Sequence, residues 1–120
     1  MSYVTTVTIG RNVPGPDAEL PVLEWETFID EVSEVWGELA YKRQLEATLQ
    51  HQPDAFFLEV HQGVGVWDGV KEESAKVTIV SEFVLTGKGD AITRTHEICK
   101  NYRQEAFALT VGESVLYETN

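Results

Sequence analysis

Six side chains scattered along this sequence could together bind a small polar molecule: Arg11, Trp67, Asp68, Tyr102, Gln104 and Glu105. They supply a guanidinium, aromatic plates, an amide and carboxylates, the groups that fix such a ligand by charge pairing, stacking and orientation. No local spacing joins them, so only the fold can bring them together. The competing structural reading gives each a plain duty: Arg11 pairs with Glu105, Trp67 plugs the end of the core, and Gln104 caps backbone groups.

Catalytic patterns are sparse. The sequence has no Gly-x-Ser-x-Gly elbow, no Gly-x-x-x-x-Gly-Lys phosphate loop and no His-Glu-x-x-His. Gly63 and Gly65 form an isolated pair, short of a dinucleotide fingerprint. His51, His61 and His96 fall on three separate stretches without ligand spacing. A metal site from His61, His96 and Glu82 would need the fold to assemble it, and solvated or hydrogen-bonded histidines are the simpler expectation. Cys99 stands three residues after His96, but beside Ile98 it reads as a small buried thiol. As the sole cysteine it forms no intramolecular disulfide and signals no oxidising compartment. Glu72 and Glu73, at a strand start, read as solvated. The expectation is a non-catalytic protein without a cofactor.

The elements that must position these groups are legible from periodicity. Residues 3–9 alternate as a β-branched strand, and residues 10–17, with two glycines and two prolines, form a loop. Leu23, Trp25, Phe28, Ile29, Val32, Val35, Trp36 and Leu39 mark one face of an amphipathic helix, with Asp17 as its cap and acids on the far face. Tyr41, Leu45 and Leu49 keep a four-residue spacing, so an extra helical segment is expected over about 40–52, with Gly37 bending or breaking the continuity. A strand begins at Phe56, and Gly63, Gly65 and Gly69 around Trp67 and Asp68 suggest a bulged strand end and turn. Residues 76–85 carry the longest strand signal, with Val77, Ile79, Ser81, Phe83 and Leu85 on one face. A second helix, capped by Asp90, runs to about Arg103 and hands over directly to a strand from Ala106 to Val111. Val115 to Tyr117 would add a short strand or dock as a tail.

One domain spanning residues 1–120 is expected from the length. A hydrophobic fraction of 42% is that of a folded chain, and a formal net charge of −11 argues against nucleic-acid and anionic-membrane partners. The acids are spread over several elements, which disfavours a mimic of nucleic acid. The N-terminus lacks a basic region followed by an apolar run, and no stretch approaches membrane-spanning length, so a cytoplasmic location is expected.

Strand, helix, strand, strand, helix, strand is the order of a ferredoxin-like βαββαβ plait, an α+β fold with both helices on one face of an antiparallel sheet. The other face would stay open, carrying Val80 and Val84 among Lys76, Thr78 and Glu82. Such a half-apolar face suggests a homodimer or larger homo-oligomer. The same topology sends the first two strands and the end of the second helix to one edge, where Arg11, Trp67, Asp68, Tyr102, Gln104 and Glu105 should converge.

Several short motifs occur in the same order as in a known pattern. They are Thr8-Ile9-Gly10-Arg11, Trp25-Glu26-Thr27-Phe28, Gly65-Val66-Trp67 followed by Glu73-Ser74, and Tyr102-Arg103-Gln104-Glu105. Together they resemble a family of small uncharacterised bacterial and actinophage proteins, whose final strand is similar to residues 104–112. Residues 40–53 look like an insertion relative to that pattern. The resemblance implies the plait and the convergent edge and brings no activity with it. Three functional classes follow. The first is a binding protein for a small polar ligand at this edge or in an oligomer groove, for instance a phage protein sequestering a host signal. The second is an inhibitor or adaptor engaging a host protein through its acidic surface. The third, less favoured for want of a nucleophile and base, is a small enzyme acting on an organic substrate.

Overall fold

The computed structural model describes residues 2–16 and 18–115, with the Trp67 side chain left aside. Six elements follow one another: β1 (Ser2–Gly10), α1 (Val22–Leu49), β2 (Phe56–Trp67), β3 (Val70–Ser81), α2 (Lys88–Asn101) and β4 (Ala108–Ser114). The strands form one sheet in the order β2-β3-β1-β4 with every neighbouring pair antiparallel. This is the ferredoxin-like plait expected from the element order.

Alternation on the strands sets the two faces of the sheet. Thr5, Val7 and Ile9 of β1 and Ala75, Val77, Ile79 and Ser81 of β3 are buried. Trp25, Phe28, Ile29, Val32, Val35 and Trp36 of α1 are buried with them, and Ala91, Thr95 and Cys99 of α2 complete the core. The two helices are joined inside it by a hydrogen bond from Trp36 Nε1 to Thr95 Oγ1 at 3.0 Å, and that hydroxyl donates in turn to Ala91 O at 2.7 Å. A buried indole N–H and hydroxyl therefore both find partners, as burial demands.

Several boundaries differ from the sequence reading. The segment over 40–52 is no separate element: α1 runs unbroken for 28 residues to Leu49. Gly37 sits inside it, with space for a Cβ at 3.6 Å from Leu58 Cδ1. The intrinsic cost of a helical glycine, about 1 kcal/mol, is offset by packing of α1 on β2 and β3. The four-residue spacing of Tyr41, Leu45 and Leu49 faces outward, since all three are exposed, as is Leu23; Leu39, Ala40 and Ala47 are the buried positions. The helix N-cap is Pro21, and Asp17 lies outside the described residues. Gly87, at φ 74°, takes the N-cap position of α2 and leaves Asp90 in the first turn, where its charge still complements the helix dipole.

β2 carries no bulge. It pairs with β3 without interruption from Phe56 opposite Ser81 to Trp67 opposite Val70. Asp68 and Gly69, at φ 49° and 77°, form the two-residue turn between them. Positive φ at both central positions is what lets so tight a turn match the strand twist. β3 thus starts at Val70 and ends at Ser81, and Phe83 and Leu85 are buried from the connection that follows. Val84 and Glu82 leave the sheet face on which they were expected. α2 ends at Asn101 and β4 begins at Ala108, so residues 102–107 form a connection rather than an immediate handover. The tail expected over 115–117 falls almost wholly outside the described residues.

Candidate functional site: a cleft on the open sheet face

The even-numbered residues of β1 point away from the helices. Register places Thr8 beside Lys76 and Ala108, and Gly10 beside Ser74, all on the open face. Above this end of the sheet rise two connections, residues 11–14 after β1 and residues 104–107 before β4. Between them lies a cleft of about 630 Å³. Thr8, Gly10, Ser74, Lys76 and Ala108 lie along its base, and Glu72, Asn12, Gln104 and Glu105 contribute further polar groups. Val13, Pro14, Val66 and Phe107 give it apolar surface.

A chain of hydrogen bonds through Asn12 holds the cleft together. Glu72 accepts from the Asn12 backbone N–H at 2.8 Å, and Gln104 Nε2 donates to Asn12 O at 3.0 Å. The backbone of one residue thus ties the β3 side of the cleft to the α2–β4 connection. Gly10 is required by this arrangement. A Cβ there would stand 2.4–2.6 Å from the Glu72 carboxylate, which lies across the β1 backbone. On the β2 side, Gly65 faces Glu72 in the register and keeps the trough open.

The six side chains singled out from sequence separate into four groups. Gln104 and Glu105 line the cleft. Arg11 stands at the same edge, but its guanidinium is met by protein groups. Nε donates to Leu20 O at 2.7 Å, Nη1 pairs with Glu73, and Glu19 lies 3.8 Å from Nη2. The hydrogen bond with Glu73 raises the Arg11 pKa further above its ordinary value, against a smaller opposing effect of burial. Its partners are therefore Glu73 and Glu19, not Glu105, and it fastens the loop of residues 11–20 to β3. Tyr102 lies on the helix side of the sheet, stacked on Phe28 with centroids 4.9 Å apart. Burial, with a smaller effect from the hydrogen bond to Glu31, pushes its phenol pKa up.

Trp67 and Asp68 form the tip of the hairpin. The last β1 pairing is Gly10 with Ser74, so the tip stands four residues further out, about 13 Å at strand rise. Asp68 is accounted for by its turn, and the Trp67 side chain lies outside what is described. The residues that sequence reasoning passed over are Glu72, Ser74, Lys76 and Asn12. By its sequence position Glu72 reads as a solvated strand-start acid. Its cleft position depends on pairing with β1, for which the only local sign is Gly10 at the end of a β-branched strand.

The other candidates disperse. His61 sits on the open face with Nε2 2.6 Å from Glu59 Oε2, while His96 belongs to α2 and packs edge-on against Phe107 at the rim of the cleft. No group of three metal-ligating side chains occurs among the described residues. Cys99 is buried, and desolvation raises its pKa to about 11, so the thiol is protonated and unreactive at neutral pH. No helix of the described residues is long and apolar enough to cross a membrane.

No family model matches the sequence, and no curated protein matches it significantly. Among solved structures, the chain is similar to a phage SAM lyase in its apo state, at 15% identity over 92% of this chain and 79% of that one, with a TM-score of 0.50. It is also similar to a phage SAM lyase in complex with S-methyl-5′-thioadenosine, at 16% identity over 93% and 81% of the two chains, with a TM-score of 0.41. CutA1 from Pyrococcus horikoshii is a third, at 16% identity over 98% and 87%, with a TM-score of 0.36. What the chain shares with the apo phage protein, at that identity, is the ferredoxin-like fold.

Proposed function

We propose that this protein binds a small polar organic molecule in the cleft on the open sheet face. The observation that carries the reading is the cleft itself. Its volume of about 630 Å³ lies within the usual range for small-molecule sites, and its lining mixes apolar surface with a few convergent polar groups. The base is formed by strands, which hold Thr8, Ser74 and Lys76 in a fixed spacing, and the Asn12 backbone fixes Glu72 and Gln104 against each other. Such preorganisation lowers the ordering cost of binding.

The edge expected from sequence shifts by a short distance in this reading. Gln104 and Glu105 remain ligand contacts, and Arg11 becomes the residue that holds the edge in place. Further along the same open face, Phe57 of β2 is exposed and stands opposite Val80, which stands opposite Val4 of β1. A second copy covering this apolar row would make the protein a homo-oligomer. The resemblance to actinophage proteins is in keeping with a phage product that sequesters a host signalling molecule.

The test is native mass spectrometry of freshly purified protein, followed by titration calorimetry with candidate metabolites. S-adenosylmethionine is the first to offer, because the phage protein sharing the fold is a SAM lyase. Binding that is lost in Gln104→Ala and recovered ligand that is chemically unchanged are the expected results. Undiminished binding in Gln104→Ala combined with Ser74→Trp, which fills the base of the cleft, would place the site elsewhere.

A further inference from the structure

Of the two acids that line the cleft, Glu105 is exposed, whereas Glu72 is half-buried and differs in its partners from the acids beside Arg11. Glu73 and Glu19 both face Arg11. Glu72 has one partner among the described residues, the neutral Asn12 N–H, which occupies Oε2 and leaves Oε1 without a donor. The side chain is half-buried, so its carboxylate is partly removed from water yet unpaired by a cation. At the other end of the cleft base, Lys76 is exposed and likewise has no acidic partner among the described residues. Both residues lie on β3 and project to the same face, four residues and about 13 Å apart, with Ser74 between them. The cleft therefore has a negative end and a positive end along one strand.

We infer that the cleft selects an elongated ligand with a positive centre at Glu72 and an acceptor or anionic group toward Lys76, and that Gly10 is the position that makes Glu72 available for this. The inference rests on the cleft being the binding site and adds the charge class of its ligand. A cation is held by charge pairing against a carboxylate already fixed by a backbone N–H, and one that carries its own N–H adds a hydrogen bond about twice as strong as a neutral one. A neutral analogue leaves the partly buried carboxylate without a counter-charge. Gly10 acts through Glu72. Any side chain at position 10 meets the carboxylate at 2.4–2.6 Å and pushes it off the β1 backbone, away from the Asn12 N–H. The Glu72 side chain is flexible, so it moves aside and the sheet is retained.

The experiment follows the amide resonances of Gly10, Asn12 and Ser74 during titration with matched pairs, each a cation and its neutral counterpart. The pairs are 4-guanidinobutanoate with 4-ureidobutanoate, and choline with 3,3-dimethylbutanol. The cationic member of at least one pair is expected to shift these amides and to bind at least about tenfold more tightly than its partner. Glu72→Gln should erase that preference, Gly10→Ala should do the same, and the double variant should be no worse than either single one. Equal binding of both members at these amides would overturn the charge assignment while leaving the cleft as the site. No shift at these amides by any cation, or a preference that survives Glu72→Gln, would also overturn it. A preference lost in Glu72→Gln but kept in Gly10→Ala, with Gly10→Ala retaining its wild-type spectrum elsewhere, would remove the role given to Gly10.

Discussion

Replacing Phe28 by alanine tests the core and its link to the cleft together. Phe28 is fully buried. It lies edge-on to Trp25 with centroids 6.0 Å apart and face-on to Tyr102 at 4.9 Å. Truncating a buried phenylalanine costs about 3–5 kcal/mol, depending on how far the surroundings collapse into the gap. Trp36 and Val32 are locked in the centre of the core, but Tyr102 is only half-buried and begins the connection to β4, so it has room to lean inward. That relaxation places the expected loss toward the lower half of the range, at about 3–4 kcal/mol. For a chain of this length the melting temperature should fall by roughly 12–16 °C.

Denaturant unfolding followed by tryptophan fluorescence measures the loss, and Glu34→Ala is the control. Glu34 is exposed on α1, so its replacement should stay within about 0.5 kcal/mol. Glu31, although on the same helix, is no control, because it is half-buried and hydrogen-bonds Tyr102. If Tyr102 leans inward it carries Gln104 and Glu105 with it, and the amide resonances of residues 104–107 should shift more than those at the far end of β1. A loss below about 1 kcal/mol, or one equal to that of Glu34→Ala, would refute the assignment of this face as the centre of the core.

Three more outcomes follow from the same geometry. Arg11→Ala should lower the melting temperature and speed amide exchange in residues 11–20, because Leu20 O, Glu73 and Glu19 all lose their partner; an unchanged melting curve would contradict a fastening role. Val80→Glu should shift the protein toward monomer in light scattering without unfolding it, since a charge would be forced into a dry contact, and a wild type monomeric at high micromolar concentration would exclude that interface. Cys99 should resist thiol reagents in the native state and react on unfolding. Its thiol pKa rises from 9.0 to about 11 on folding, so its contribution to stability is complete below pH 9 and lost as pH climbs from 9 to about 11, a loss that Cys99→Ala should abolish.

Periodicity alone determined the element types, because burial on one face imposes a repeat of 3.6 on a helix and 2 on a strand. The stripe from Trp25 to Leu39 and the alternation of Val77, Ile79 and Ser81 both face the core as read. Element order then determined the plait, since right-handed crossovers leave few ways to arrange these six elements. The convergence of Gln104 with the end of β1 follows from that order, and the Gln104–Asn12 bond spans it.

Tertiary structure decided what local patterns leave open. Tyr41, Leu45 and Leu49 have the spacing of a buried face yet point to solvent, because periodicity marks a stripe without saying whether anything lies against it. Gly37 would be expected to interrupt a helix on its own, but the surfaces of β2 and β3 stabilise α1 through it. Arg11 and Glu72 exchanged roles for the same kind of reason. The sequence offered an arginine for a ligand and a solvated acid, whereas strand register placed Glu73 and Glu19 against the arginine and laid Glu72 across Gly10. A charge's partner is fixed by contacts between residues sixty positions apart, and no local repeat records those.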